Sequence, residues 1–136
     1  MTVREFNKKM TESGFVAFVH PLHYPTFRRV VDGIEQVVCR DNVRGGSYRL
    51  FLGHDRIPEY PAQADKPTSI SAESPWFSYV GEEAKADALT QCWEFLSTIG
   101  FQWLASPRSL TPDEWRERHN ILIYGATFKR RQGYLP

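Results

Sequence analysis

The residues best suited to chemistry in this chain of 136 are His20-x-x-His23, in a turn flanked by Pro21 and Pro25, and the pair His54-Asp55. Imidazoles and a carboxylate suit zinc or another divalent ion. On that reading His20, His23, His54 and Asp55 are the ligands, and the protein is a small metal-dependent enzyme. The spacing belongs to no closed zinc pattern, and loop histidines near strand ends are common. The expectation is therefore a chain without metal or other cofactor.

Covalent catalysis has less support. No Gly-x-Ser-x-Gly elbow occurs, and Arg44-Gly-Gly-Ser47 is too short to cradle a phosphate and reads as a hairpin turn. Cys39 and Cys92 fall on predicted apolar helix faces, where a thiol is buried and inert. The carboxylate pairs Glu82-Glu83 and Asp113-Glu114 stand in first helical turns, where the helix macrodipole already favours negative charge. The residues point away from an enzyme and toward a protein that binds.

Two kinds of partner compete. Trp, Tyr and Arg are what protein interfaces favour. The Pro-rich stretch 57–79 and the acidic turn after it offer Tyr60, Trp76, Tyr79, Glu82 and Glu83 to another protein. That would make the chain a regulator, inhibitor or accessory protein, of the kind mobile elements carry. The alternative is RNA or single-stranded DNA. In Phe128-Lys-Arg-Arg-Gln-Gly-Tyr134 the cations Lys129, Arg130 and Arg131 neutralise phosphates, while Tyr134 stacks on a base. Arg44 and Arg49, with Arg28 and Arg29, extend this patch if the fold brings the two ends together.

Charge layout favours the protein partner. Residues 1–56 carry nine Lys/Arg against six Asp/Glu, residues 57–100 two against seven, and residues 101–136 six against three. The net charge of +1 hides a chain basic at both ends and acidic in the middle, with no general attraction to nucleic acid. The longest apolar run, 15–19, is far short of the ~20 residues that span a bilayer. No apolar segment follows the first basic residues as in a secretory signal, so a cytoplasmic protein is expected. Oligomeric state is not legible.

A chain of 136 residues suffices for one domain with its own core. Thr2-Val-Arg-Glu5 is a capping box opening a helix that stops at Gly14. Residues 15–19 read as a strand. Phe27, Val30, Val31, Ile34, Val37 and Val38 match a helical stripe, so a helix is expected from Pro25 onward; a helix ending at Gly33 and a strand over 34–40 is the second choice. A strand over 48–52 precedes the irregular, Pro-rich loop 54–75. After a short strand over 76–80, an amphipathic helix over 82–99 should end at a left-handed Gly100. A strand over 101–105 and a helix opened by Thr111-Pro-Asp-Glu114 follow. The last strand covers 121–128, with Gly125 marking a bulge, and 129–136 is a polar tail.

A shift of 86 positions lays Gly14-Phe15 on Gly100-Phe101 and Pro21 on Pro107. Residues 2–53 and 76–128 thus read as two halves of an αβαβ pseudo-repeat joined by the loop. The expected fold class is α+β: a two-layer sandwich with about four helices on one face of a five-stranded mixed or antiparallel sheet.

Overall fold

The computed structural model describes residues 1–19, 25–43, 46–56 and 69–125. His20, His23, Arg44, Tyr60 and the basic stretch holding Lys129, Arg130, Arg131 and Tyr134 lie outside them, as do most of the Pro-rich loop and the tail. The fold is α+β, with an open, antiparallel sheet. Among the described residues there are seven strands and three helices, where five and four were expected.

Helix α1 (Val3–Glu12) begins as its capping box requires. Glu5 N–H donates to Thr2 Oγ1 at 3.1 Å and Thr2 N–H to Glu5 Oε1 at 3.2 Å. Phe6 and Met10, one helical turn apart, are its buried side chains. Gly14, at φ +91°, turns the chain into β1 (Val16–Val19).

The expected helix from Pro25 is instead a β-hairpin: β2 (Pro25–Val31) and β3 (Ile34–Val43). Asp32 (φ 53°) and Gly33 (φ 76°) are both left-handed. That is the backbone of a two-residue type I′ turn, whose right-handed twist matches its strands. Valines and isoleucine, stiff at χ1, fill the pleat better than a helix. The apparent helical stripe is split by the pleat, since Phe27 pairs with Val38 on one face and Arg28 with Val37 on the other. The strand of the second choice is present, and the helix before it is not.

Strand β4 (Ser47–Arg56) carries His54 and Asp55 inside the sheet. Residues 69–73 were expected to be loop, yet β5 (Ser69–Glu73) lies between β4 and β7 (Leu122–Gly125). Ser-Ile-Ser-Ala-Glu has little intrinsic strand preference; its neighbours impose the conformation. Strand β6 (Phe77–Ser78) continues along β4.

Glu82–Phe95, the π turn Leu96–Gly100 and Phe101–Ala105 run on as one helix, α2, over 82–105. Gly100 is right-handed (φ −61°) and caps nothing. Its missing Cβ allows close packing, because a Cβ there would stand 2.8 Å from Leu96 Cδ1. The expected strand 101–105 is the last turn and more of this helix. Its apolar run continues the stripe of Cys92 and Leu96 to Trp103 and Leu104, all buried. Helix α3 (Pro112–His119) has the expected capping box between Thr111 and Glu114 (3.1 and 3.2 Å), and Asn120 closes it at φ 56°.

These changes remove the pseudo-repeat. Gly14-Phe15 leaves a helix for a strand while Gly100-Phe101 lies within one, and the first half has a hairpin where a second helix was expected. All three helices pack on one face of the sheet. Phe6, Met10, Leu89, Leu96, Trp103 and Trp115 form a single apolar cluster with Phe27, Val38, Leu50, Leu52 and Ala72. No helix among the described residues is long and apolar enough to cross a membrane.

Candidate functional site

The other face of the sheet has no described helix on it. Residues paired across antiparallel strands share a face. One row therefore runs Phe18–Thr26–Cys39–Phe51–Glu73–Leu122, and the next Val16–Arg28–Val37–Gly53–Ser71–Tyr124. Val37, Cys39 and Phe51 are buried yet stand outside the helix-side cluster. Around them the face is polar and aromatic, and it centres on Arg49.

A bulge sets the Arg49 site. Phe51 pairs with Glu73, but Tyr48 pairs with Phe77, so one extra residue is inserted between β5 and β6. Pro75 lies in the inserted stretch, where lacking an N–H costs no ladder bond. Ser74 holds the break: its N–H donates to Leu50 O at 2.9 Å, and its Oγ accepts from Leu50 N–H and donates to Pro75 O, both at 2.8 Å. The shift brings Trp76 opposite Arg49.

The Arg49 guanidinium carbon lies 4.1 Å from the centroid of the Trp76 ring and 4.3 Å from that of Phe51. Its Nη2 reaches Asp41 Oδ2 at 3.5 Å and its Nη1 Glu73 Oε2 at 3.6 Å. Tyr124 Oη donates to the same Glu73 oxygen at 3.4 Å. Burial pushes the Asp41 carboxyl up, with Arg49 pulling the other way. The Tyr124 phenol is also raised, by burial first and then by Glu73. Two buried polar atoms on this face lack a hydrogen-bond partner, Arg49 Nε and Ser71 Oγ. Trp76 itself remains 51% exposed.

Tyr60 lies outside the described residues; of the other expected partner-binding residues, Trp76 is on this face. Tyr79 is half-buried on the helix side, its ring tilted 35° to that of Tyr48 with centroids 5.6 Å apart, and it donates to Asn42 Oδ1 at 2.7 Å. Glu82 and Glu83 are exposed in the first turn of α2, beyond Gly81.

Of the nucleic-acid set, the described residues hold Arg49 and, from its extension, Arg28 and Arg29. Arg49 is engaged by two carboxylates. Arg28 lies over Phe18 (4.7 Å) and 3.9 Å from Glu35 on the open face. Arg29 is on the helix side, over Phe15 (4.4 Å) and Phe101 (5.3 Å), donating to Ser13 O and Gln36 Oε1. These cations do not make one patch.

Of the metal candidates, His54 is the one whose side chain falls among the described residues. His54 is buried on the helix side, in register with Gln36 and Ile70. No cluster of three or more His, Cys, Asp or Glu suited to a metal occurs among the described residues. Both cysteines are buried, Cys92 on α2 as expected but Cys39 on strand β3, and burial pushes each thiol to about 12.

Sequence reasoning missed Asp41, Phe51, Ser71, Glu73 and Tyr124. Alternation in Tyr48-Arg-Leu-Phe-Leu52 puts Arg49 and Phe51 on one face, but nothing in the sequence states the register that adds the others. Comparison of the chain with protein-family models, with curated proteins and with solved structures returns no match.

Proposed function

We propose that this chain is a non-enzymatic binding protein that acts by contact with another protein, through the open face of its sheet. The observation that carries the reading is Trp76, half exposed and clamped by Arg49. A large aromatic already held in one orientation loses little entropy when a partner covers it, which is the property of an interface anchor. Val16, Val30 and Leu122 add exposed apolar surface to the same face. In this reading the protein is a regulator, inhibitor or accessory factor, and its function lies in what it covers.

The test is capture from a lysate of the encoding organism, with wild type, Trp76→Ala and the control Val80→Ala, an exposed residue outside the sheet. A protein held in stoichiometric amount by wild type and the control, and lost by Trp76→Ala, supports the reading. Retention by Trp76→Ala overturns it. Capture abolished by nuclease, with salt-sensitive retention on heparin, would favour the nucleic-acid alternative instead.

A further inference from the structure

We infer that the outer edge of β7, with helix α3 beside it, forms a second contact surface apart from Trp76: a groove that takes an extended segment of another polypeptide as an added strand. Strand β7 ends the sheet, and among the described residues it pairs with β5 alone, Leu122 with Glu73 and Ile123 with Ala72. In an antiparallel pair, successive residues alternate between bonding the neighbouring strand and pointing N–H and C=O away from it. One of Leu122 and Ile123 therefore presents both groups outward. Leu122 is 39% exposed and Ile123 is half-buried, so this edge is within reach of solvent. A strand edge of this kind is a template for another strand, and Leu122-Ile-Tyr-Gly125 carries none of the lysines or prolines that blunt one.

The space beside the edge has the shape such a segment needs. A cavity of about 120 Å³ is bordered by Leu122, Ile123 and Tyr124 and by Pro112, Asp113 and Arg116 of α3. Successive strand side chains go to opposite faces, so a space touching three in a row lies along the edge itself. Trp115 fixes the other side of α3 in the core, which leaves residues 112, 113 and 116 as the far wall. A second cavity, of about 400 Å³, shares Pro112 and Ile123 with the first and adds Ile70, Pro107 and Leu110. Ile70 and Ile123 face the helices, so this apolar space lies on the helix side of the edge. An added strand sends alternate side chains into it and the others past Leu122, which is how strand addition combines backbone bonding with side-chain specificity.

Charge and shape select the occupant. On the α3 wall Asp113 stands 3.7 Å from Arg116 and Glu114 stands 3.4 Å from Arg118, so the wall asks no charge of the segment. Backbone bonds and one large apolar side chain in the 400 Å³ cavity carry the contact. A second copy fits less well. Two β7 edges meeting antiparallel about a two-fold axis bring both α3 helices over a junction of only four residues, whereas a lone extended segment brings no helix.

The experiment uses the whole chain and short capped peptides of alternating Thr and Val with Phe or Ala at the centre. Binding is read by NMR from the Leu122 and Ile123 amides and from their hydrogen exchange. The Phe peptide should shift these signals and slow exchange of the outward amide about tenfold or more. Affinity should fall about tenfold for the Ala peptide, and for the Phe peptide in Leu122→Lys, which sets a charge on the edge. Ser109 is exposed on the rim of the larger cavity, so Ser109→Trp should fill it and weaken the Phe peptide but not the Ala peptide. Trp76→Ala should bind as wild type, and dispersed amide spectra check that each variant is folded. Peptides N-methylated at alternate residues test the ladder: methylation in one register should abolish binding, and in the other leave it intact. No shift with the Phe peptide, shifts confined to other parts of the protein, equal effects of both methylation registers, or unchanged affinity in both Leu122→Lys and Ser109→Trp would overturn the inference. So would a dimer whose outward amide is already protected without peptide, which puts a second copy at the edge.

Discussion

Arg49 covers the Trp76 ring at 4.1 Å while dividing its charge between Asp41 and Glu73. One side chain thus orients the exposed aromatic and holds two carboxylates together. Removing its charge should expose both roles. In Arg49→Met the two carboxylates face each other without a cation, at a cost of about 3–5 kcal/mol near neutral pH. The sign of the pH dependence follows from Asp41, whose carboxyl is already raised by burial. A raised carboxyl means that the folded state holds the proton more tightly, so stability is lost as pH rises from about 3.9 through the folded value. Losing Arg49 raises it further, so the penalty should shrink as the pH is lowered toward 4. Urea melts of wild type and variant at stepped pH measure this; a pH-independent penalty contradicts the pairing.

Ser74→Ala tests the bulge. Without the hydroxyl, Leu50 N–H is left buried without its acceptor, costing about 1–3 kcal/mol. Trp76 should also lose its fixed setting over Arg49, so capture of a partner should weaken although Ser74 is buried and cannot touch one. A variant as stable as wild type would place the Leu50 N–H elsewhere.

Gly33→Ala separates hairpin from helix by sign. In a helix interior the change would stabilise the protein by about 1 kcal/mol. At φ 76° in the β2–β3 turn it should instead destabilise by about 1 kcal/mol, because Cβ clashes with the left-handed backbone. A denaturation midpoint moved upward would overturn the hairpin.

The third helix offers two readings of the same element. Thr111→Ala should cost about 1 kcal/mol through loss of the cap. Trp115→Ala should cost about 3–5 kcal/mol, since the ring is fully buried against the core. Thermal melts measure both, and a Trp115 cost under about 1 kcal/mol would place it at the surface.

The thiols should be silent. With Cys39 and Cys92 pushed up to about 12, roughly one thiol in ten thousand is ionised at pH 8. A chromogenic thiol reagent should therefore register none in the folded protein and both after denaturation. Fast labelling of either cysteine in the native state would show that its burial is incomplete.

Local chemistry was legible from the sequence alone. Both capping boxes, the amphipathic faces of α1 and α2, the α+β class and the burial of Cys92 follow from residues within a turn or two of each other. Errors came where local signals were ambiguous. The spacing of Phe27 to Val38 satisfies a helical stripe, and only the Asp32-Gly33 turn reverses it. The run 101–105 has strand length, but its packing below Leu96 and Gly100 makes it helix. Strand β5 carries almost no local signal and exists because β4 and β7 supply its hydrogen bonds.

The candidate site lies wholly on the tertiary side of this division. The sequence marked Trp76 as an anchor and Arg49 as a cation, but assigned them to different partners. Cross-strand register and a one-residue bulge bring them together and draw in Asp41, Glu73 and Tyr124 from three further strands. Caps and amphipathic stripes are interactions over a few residues, so composition and spacing encode them directly. Register joins residues far apart in the chain, and a shift by one position turns every side chain to the other face. Local spacing limits what each segment can be, and pairing in the sheet settles which side chains meet.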